Sequence, residues 1–304
     1  MPSTSQAEGA RPVTLITGSS TGIGFASALE LARRGHVVWA SMRDLSGAEA
    51  LRAAVGEEGL SLHVTELDVR DRISVERAVE RVLEESGRID NLVANAGFHA
   101  GNSLEDTALE TFEQLMDTNF LGVVRCVKAV LPHLRAQGSG CIVGVSSQSG
   151  RFVMPTNAAY SASKFALEAT LEVLALEAIQ FGVRIIILEP GLTFTAAMDK
   201  SVPWPEGTPY GRVYRRTGAI FAADAEAGSS AETVAVALAN AVESAETPLR
   251  RVVGTDAERN LAARGQMNDK DWLEMHALEQ DDDFFRAWRE RFGNDPDGRD
   301  KGSA

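Results

Sequence analysis

Short β-branched runs alternate along this chain with longer stretches in which apolar residues return every three to four positions. Runs of strand character fall at 13–17, 36–41, 61–67, 89–94, 141–146, 183–188 and 250–253. Between them, 22–34, 73–86, 111–135 and 158–181 are too long for strands and carry a helical period. Strands alternating with helices feed a parallel sheet, because parallel neighbours need a crossover that a helix supplies. The pattern therefore predicts an α/β fold: a single doubly wound domain over residues 11–254 with a mostly parallel seven-stranded sheet.

Two regions break that rhythm. Residues 195–230 are irregular, with Pro203, Pro205 and Pro209 among Trp204, Tyr210 and Tyr214, and they precede a helix starting near Ala231. An insertion after a strand's carboxyl end lies where open α/β sheets bind ligands, so this is the expected substrate loop. Residues 255–304 are highly charged yet hold Trp272, Phe284, Phe285, Trp288 and Phe292, which predicts a helical C-terminal extension docked on the body.

Composition narrows the function. A formal net charge of -13 over 304 residues gives no bulk attraction to phosphate backbones or anionic lipid, so nucleic acid is not an expected partner. Cys126 and Cys141 have no paired spacing and read as buried thiols. His36, His63, His133 and His276 are dispersed without ligand spacing, so no metal site is expected. His99 reads as a surface group or a neighbour of the pocket. Residues 1–10 lack an apolar leader core, and the most continuous apolar run, 183–188, is too short to span a bilayer. A cytoplasmic protein without a membrane span is the expectation.

The turn Thr17-Gly18-Ser19-Ser20-Thr21-Gly22-Ile23-Gly24 follows the first strand and opens a helix. Gly18 suits a tight turn, Gly22 lets the backbone approach a diphosphate, and Gly24 permits close packing of helix on strand. The free N–H groups of the helix start would face the anion. Ser20, Thr21 and Ile23 complete this phosphate-binding turn of a Rossmann-type fold. At the end of the second strand the chain reads Met42-Arg43-Asp44. Met42 cannot accept a ribose hydrogen bond, whereas Arg43 offers a fixed cation for a 2′-phosphate, with the Thr21 hydroxyl able to assist. NADP is the expected cofactor. NAD is the alternative, in which Asp44 reaches the ribose and Arg43 is a solvated charge.

In Tyr160-Ser161-Ala162-Ser163-Lys164 a separation of four on a helix puts phenol and ammonium on one face. A cation beside the phenol would lower its pKa and make it a working acid and base. Thirteen residues upstream, Ser147 follows a strand, where its hydroxyl could hold a substrate oxygen. Ser146 and Ser149 are also hydroxyls, and the spacing to Tyr160 selects Ser147.

With these parts in order, the sequence resembles the short-chain dehydrogenase/reductase family from residue 13 to about 195, nearest to its hydroxysteroid and retinol dehydrogenase branch. The resemblance implies an enzyme that interconverts an alcohol and a carbonyl by hydride transfer. In it, Tyr160 is general acid or base, Lys164 lowers its pKa and holds the nicotinamide ribose, and Ser147 orients the reacting oxygen. Asn119 would hold a water linking Lys164 to solvent. Asp68 and Val69 would lie beside the adenine. Asn95, Ala96 and Gly97 belong to the cofactor site, and Pro190, Gly191, Thr193 and Thr195 would cover the nicotinamide and diphosphate. Where many members carry two asparagines before Ala-Gly, this chain has Ala94-Asn95.

The branch points to a bulky, apolar alcohol or carbonyl substrate. The long helices 111–135 and 158–181 resemble the pair through which the family dimerises, so a homodimer or homotetramer is expected. A catalytically silent dinucleotide-binding regulator would have lost one of Asn119, Ser147, Tyr160 and Lys164, and an epimerase of the extended branch would show G-x-x-G-x-x-G. Neither pattern is present.

Overall fold

The computed structural model describes residues 11–195 and 205–298. Pro203 and Trp204 of the expected substrate loop, and the polar segment 1–10, lie outside the described residues.

Strands β1 (Val13–Ile16), β2 (Val37–Met42), β3 (His63–Glu66), β4 (Asn91–Ala94), β5 (Gly140–Val145) and β6 (Val183–Pro190) are joined by helices. These are α1 (Gly22–Arg33), α2 (Glu49–Glu57), α3 (Arg72–Ser86), α4 (Leu109–Leu115), α5 (Gly122–Gln137) and α6 (Ala158–Ala178). Two short strands, β7 (Thr193–Phe194) and β8 (Ser229–Ser230), flank α7 (Gly211–Glu226). Helix α8 (Ala231–Glu243) leads to β9 (Arg250–Val253), and α9 (Thr255–Gly265), α10 (Asp269–Ala277) and α11 (Asp281–Phe292) complete the chain.

The main sheet runs β3-β2-β1-β4-β5-β6-β9, seven strands paired in parallel throughout. Its strands read as continuous apolar runs because both faces are covered. Leu15, Leu92, Ile142, Ile185 and Ile187 face one core with the inner sides of α3, α5 and α6. Their neighbours Ile16, Val93, Val143, Ile186 and Leu188 face the other, under α1, α2 and α8. Cys126 and Cys141 lie one in each core. Burial pushes their thiols up to about 12 and about 11, which leaves both inert as nucleophiles near neutrality. The strand order reverses between β1 and β4, and at that switch the carboxyl ends of the strands open a crevice.

Two expectations are corrected. Region 195–230 is not irregular throughout, because α7 occupies much of it. Its buried face carries Arg216, Thr217 and Asp224 beside Tyr214 and Ile220, so the apolar period that would reveal it in the sequence is broken by buried polar groups. The stretch 111–135 is not one regular helix either: Met116–Leu121 forms a π-turn between α4 and α5. Such turns concentrate at functional positions, and this one contains Asn119.

The C-terminal helices build a separate aromatic core. Trp272, Met275, Phe284, Phe285, Trp288 and Phe292 pack with Phe152 and Met154 from the body and Ile220 of α7. Within it, His276 meets Trp272 edge-on at 4.3 Å, and its Nε2 is buried without a hydrogen-bond partner among the described residues. Burial, reinforced by Arg216, pulls this imidazole down from 6.5 to about 4. A histidine lowered on folding is protonated first in the unfolded chain, so stability falls as pH drops from about 6.5 towards 4. His276→Leu is expected to flatten that acid limb by roughly 2–3 kcal/mol. Denaturant unfolding of both proteins between pH 4 and 7 checks this, and parallel pH profiles would refute it. Among the described residues, no helix is long and apolar enough to cross a membrane.

Candidate active site

The glycine turn is shaped by contacts that exclude side chains. Gly18 adopts φ +71°, and a Cβ there would stand 2.7 Å from the Ala96 backbone. A Cβ on Gly24 would collide with the Gly18 carbonyl and the Asn95 amide. Asn95 clamps this turn, donating from Nδ2 to the carbonyls of Thr17 (2.9 Å) and Gly18 (3.0 Å). The Thr17 hydroxyl in return accepts from the backbone N–H groups of Asn95 and Ala96, both at 3.0 Å. Asn95 and Ala96 thus fix the turn and the end of β4 against each other. Thr21 precedes α1 without a side-chain capping bond, so the first-turn N–H groups stay available to an anion. A tight, uncapped helix start at the switch of the sheet fits a dinucleotide's diphosphate.

Ser147 follows β5 in extended conformation, and its Oγ accepts from the N–H of Ser149 at 3.1 Å. It is the hydrogen-bonding neighbour of the Tyr160 hydroxyl. Lys164, one turn further along α6, is 5% exposed and donates from Nζ to the Val145 carbonyl at 2.9 Å. Its ammonium stands 5.6 Å from the centre of the Tyr160 ring. The fold therefore brings Ser147, Tyr160 and Lys164 together. Burial pushes the Tyr160 hydroxyl above its ordinary value, and the Ser147 bond pulls against that. The lowering expected from Lys164 does not dominate here, because the ammonium is itself buried and turned to a backbone carbonyl. Its own pKa falls to about 8 by burial, which the Glu168 carboxylate partly offsets.

Asn119 is buried, with Oδ1 accepting from the Phe98 N–H at 3.0 Å. Its Nδ2 donates to the Phe98 carbonyl (2.9 Å) and to Ser163 Oγ (3.2 Å). It ties the segment after Gly97 to α6. The next residue, His99, lies edge-on to Tyr160 with ring centres 4.9 Å apart and bonds Asn157 at 2.9 Å. Asn157 continues to Ser149 Oγ at 3.3 Å, closing a polar ring around the tyrosine. His99 thus borders the site, one of the two positions its sequence context left open.

The C-terminal helices reach the site as well. Asp256 accepts from the Leu192 N–H at 2.6 Å and so holds the segment Pro190 to Thr195. In that segment Gly191 packs so close to Asp256 that a Cβ would overlap the carboxylate. The Thr193 hydroxyl bonds the Gly191 carbonyl at 3.1 Å, and Thr195 lies against Gly22. Gln148, beside Ser147, accepts from Asn260 of α9 at 3.1 Å, and Asn260 also donates to Asp224 of α7 at 2.9 Å. Tyr214 anchors α7 to the loop after β4, where its hydroxyl accepts from the Ser103 N–H at 2.8 Å. Sequence reasoning missed Asn157, Gln148, Asp224, Asp256 and Asn260 as parts of this surround. They are polar residues scattered from the end of β5 to α9, with Asp256 and Asn260 sharing α9, and their partners lie far away in sequence.

At the far end of the crevice, Arg43 is exposed at the end of β2, and with Leu45, Thr65, Asp68, Ser74 and Arg77 it borders a surface cavity of ≈ 480 Å³. Asp44 is turned away, its carboxylate accepting from the Ser46 N–H at 2.9 Å. Asp68 pairs with Arg70 at 2.7 Å, which holds its carboxyl below the usual range. Val69 packs on Gly122 at the start of α5. Ser20 lies near Gly47, and Ile23 packs on the α1 side of the sheet.

This sheet, glycine turn and Ser-Tyr-Lys cluster define a dinucleotide-dependent oxidoreductase of the α/β class. The family profile of short chain dehydrogenases matches residues 12–206, and the chain belongs to that family. It is 34% identical over 245 residues to the 3-ketodihydrosphingosine reductase of Bacteroides thetaiotaomicron, covering 80% of this chain and 87% of that one. It is 42% identical over 204 residues to human 17-beta-hydroxysteroid dehydrogenase type 1, covering 65% of this chain and 61% of the human one. Among solved structures, a short-chain dehydrogenase from Streptomyces avermitilis matches with a TM-score of 0.75 at 30% identity, covering 88% of this chain and 96% of that one.

Proposed function

We propose that the protein interconverts a bulky, apolar alcohol and its ketone or aldehyde with NADP(H). The convergence of Ser147, Tyr160 and Lys164 at the carboxyl end of β5 carries this reading. In reduction Tyr160 gives its hydroxyl proton to the substrate oxygen, and in oxidation it takes that proton back. Ser147 holds the same oxygen, and the Lys164 ammonium steadies the phenolate left after proton transfer. The glycine turn would hold the dinucleotide, whose chemistry there would be to give a hydride in reduction and accept one in oxidation. Both amide hydrogens of Asn119 are committed, so the water link to Lys164 assigned to it falls to its remaining acceptor atoms.

Two of the similar proteins are named for a ketodihydrosphingosine and a hydroxysteroid, which supports a large apolar substrate here. NADPH oxidation measured against steroid ketones, retinal, long-chain ketones and short ketones tests the reading. No turnover with any carbonyl would sink it, and turnover confined to short polar ketones would remove the substrate class.

The NADP preference rests on Arg43, which no carboxylate among the described residues engages in a hydrogen bond, and on Asp44 being spent on Ser46. Arg43→Ala is expected to raise KM for NADPH roughly 10–100-fold, the size of a lost charge-assisted contact, with little change for NADH. An unchanged ratio between the two cofactors would favour the NAD-dependent alternative. We also assign a homodimer or homotetramer, supported by exposed Leu109 on α4 and Phe165, Val173 and Leu176 on α6. Sedimentation at known concentration reads that state.

A further inference from the structure

Beneath the catalytic segment lies a buried cluster of charges that the proton transfer does not use. Glu168 and Glu189 are 4% and 0% exposed. Arg250 Nε lies 3.0 Å from Glu168 Oε2 and 3.4 Å from Glu189 Oε1, while its Nη2 lies 2.6 Å from Glu172. Arg151 Nη1 meets Glu189 Oε2 at 3.1 Å. Two oxygens stay outside this pairing: Glu168 Oε1 and Ser146 Oγ are buried and have no hydrogen-bond partner among the described residues. Both abut Gly150, where a Cβ would stand 2.8 Å from Ser146 Oγ and 3.2 Å from Glu168 Oε1. Ser146 sits between Val145, whose carbonyl takes the Lys164 ammonium, and Ser147, the neighbour of Tyr160. The orphan carboxylate oxygen thus lies directly behind the reacting groups.

The geometry points to Glu168 as a positioning residue that keeps Lys164 in its cationic form, and so sets the pH above which the Tyr160–Lys164 pair fails. A separation of four on α6 stacks its carboxylate one turn beyond the ammonium. Arg250 engages Oε2 alone, and Lys164, whose Nζ donates to the Val145 carbonyl, feels the Glu168 carboxylate through space rather than as a contact ion pair. A buried ammonium held only by a carbonyl is poorly compensated, and a carboxylate one turn away is what makes its charge tolerable there. The charged groups around Glu168 are Lys164 and Glu172 on its own helix, Arg250 on β9, Glu189 on β6 and Arg151 after β5. Glu189 is pushed towards its neutral form by burial and by Glu168 itself.

The inference builds on the Tyr160–Lys164 reading, but its test does not need turnover. The sequence contains only five lysines, Lys128, Lys164, Lys200, Lys270 and Lys301, so a side-chain NMR titration of the lysine-labelled protein resolves Lys164 directly. Its midpoint is expected near 8 in the unaltered protein. Glu168→Gln should lower that midpoint by about one pH unit, while Glu168→Asp and Glu172→Gln leave it nearly unmoved. In carbonyl reduction the alkaline limb should move the same way, since a neutral residue at 168 makes Lys164 lose its proton sooner. A merely structural role would lower stability and leave the midpoint in place, and that result overturns the inference. If Glu168→Gln does not fold, Arg250→Met asks the question from the other side. Removing that cation should raise the Lys164 midpoint, and a fall or no change refutes the coupling. A lysine that titrates as stated in a protein that reduces no carbonyl leaves this inference standing and removes the activity alone.

Discussion

Tyr160→Phe is expected to lower kcat for carbonyl reduction by about 10³-fold, within the range that one positioned acid contributes, while dinucleotide affinity changes by less than about threefold. Phenylalanine keeps the ring that packs edge-on against His99 at 4.9 Å and removes only the hydroxyl beside Ser147. The glycine turn, the Asn95 clamp and Arg43 do not touch that hydroxyl, so cofactor binding is left in place. Stopped-flow turnover and fluorescence titration with NADPH separate the two effects. A variant that keeps turnover within tenfold removes Tyr160 as the acid. A variant that loses turnover and cofactor binding together shows that the residue's part is structural.

Trp288→Ala should destabilise the protein by about 3–5 kcal/mol, the range for truncating a fully buried aromatic side chain. Trp288 is 0% exposed, stacks on Phe292 at 4.0 Å and donates from Nε1 to Asn294 at 2.8 Å. Phe292 in turn packs on Phe152 of the body, five residues beyond Ser147. Asn294 donates to Asp224, which is joined through Asn260 to Gln148. Loosening the aromatic core therefore also loosens the wall of the crevice, and activity should fall before global unfolding. Thermal unfolding with activity measured in parallel reads both. A midpoint within about 2 °C of the unaltered protein would show that the extension is not joined to the body's stability. It would favour treating 255–304 as a separate unit.

Much of this molecule is legible in its sequence, and for local reasons. The strands buried on both faces announce themselves as apolar runs, the crossover helices by their period, and the dinucleotide turn by glycines between a strand and a helix. Tyr160 and Lys164 are visible because a separation of four has a fixed meaning on a helix. Region 195–230 reads as irregular in the sequence because α7 buries Arg216, Thr217 and Asp224, of which Arg216 and Asp224 are paired by residues far away in sequence. The π-turn at Asn119 has no local signature, since any helix-forming sequence admits it when tertiary contacts demand it.

Sequence by itself determined the layered α/β architecture, the order of the crevice-forming turns and the identity of the groups that converge there. Those features follow from periodicity and short-range geometry, which a one-dimensional chain records. Only the tertiary structure decided how those groups are charged and held. Lys164 is buried against Val145 with Glu168 behind it, His99 comes to rest on Tyr160, and Asp256 and Asn260 fasten the crevice from a helix that follows the last strand. Burial and through-space charge depend on neighbours brought in from distant segments, and no spacing along the chain encodes them.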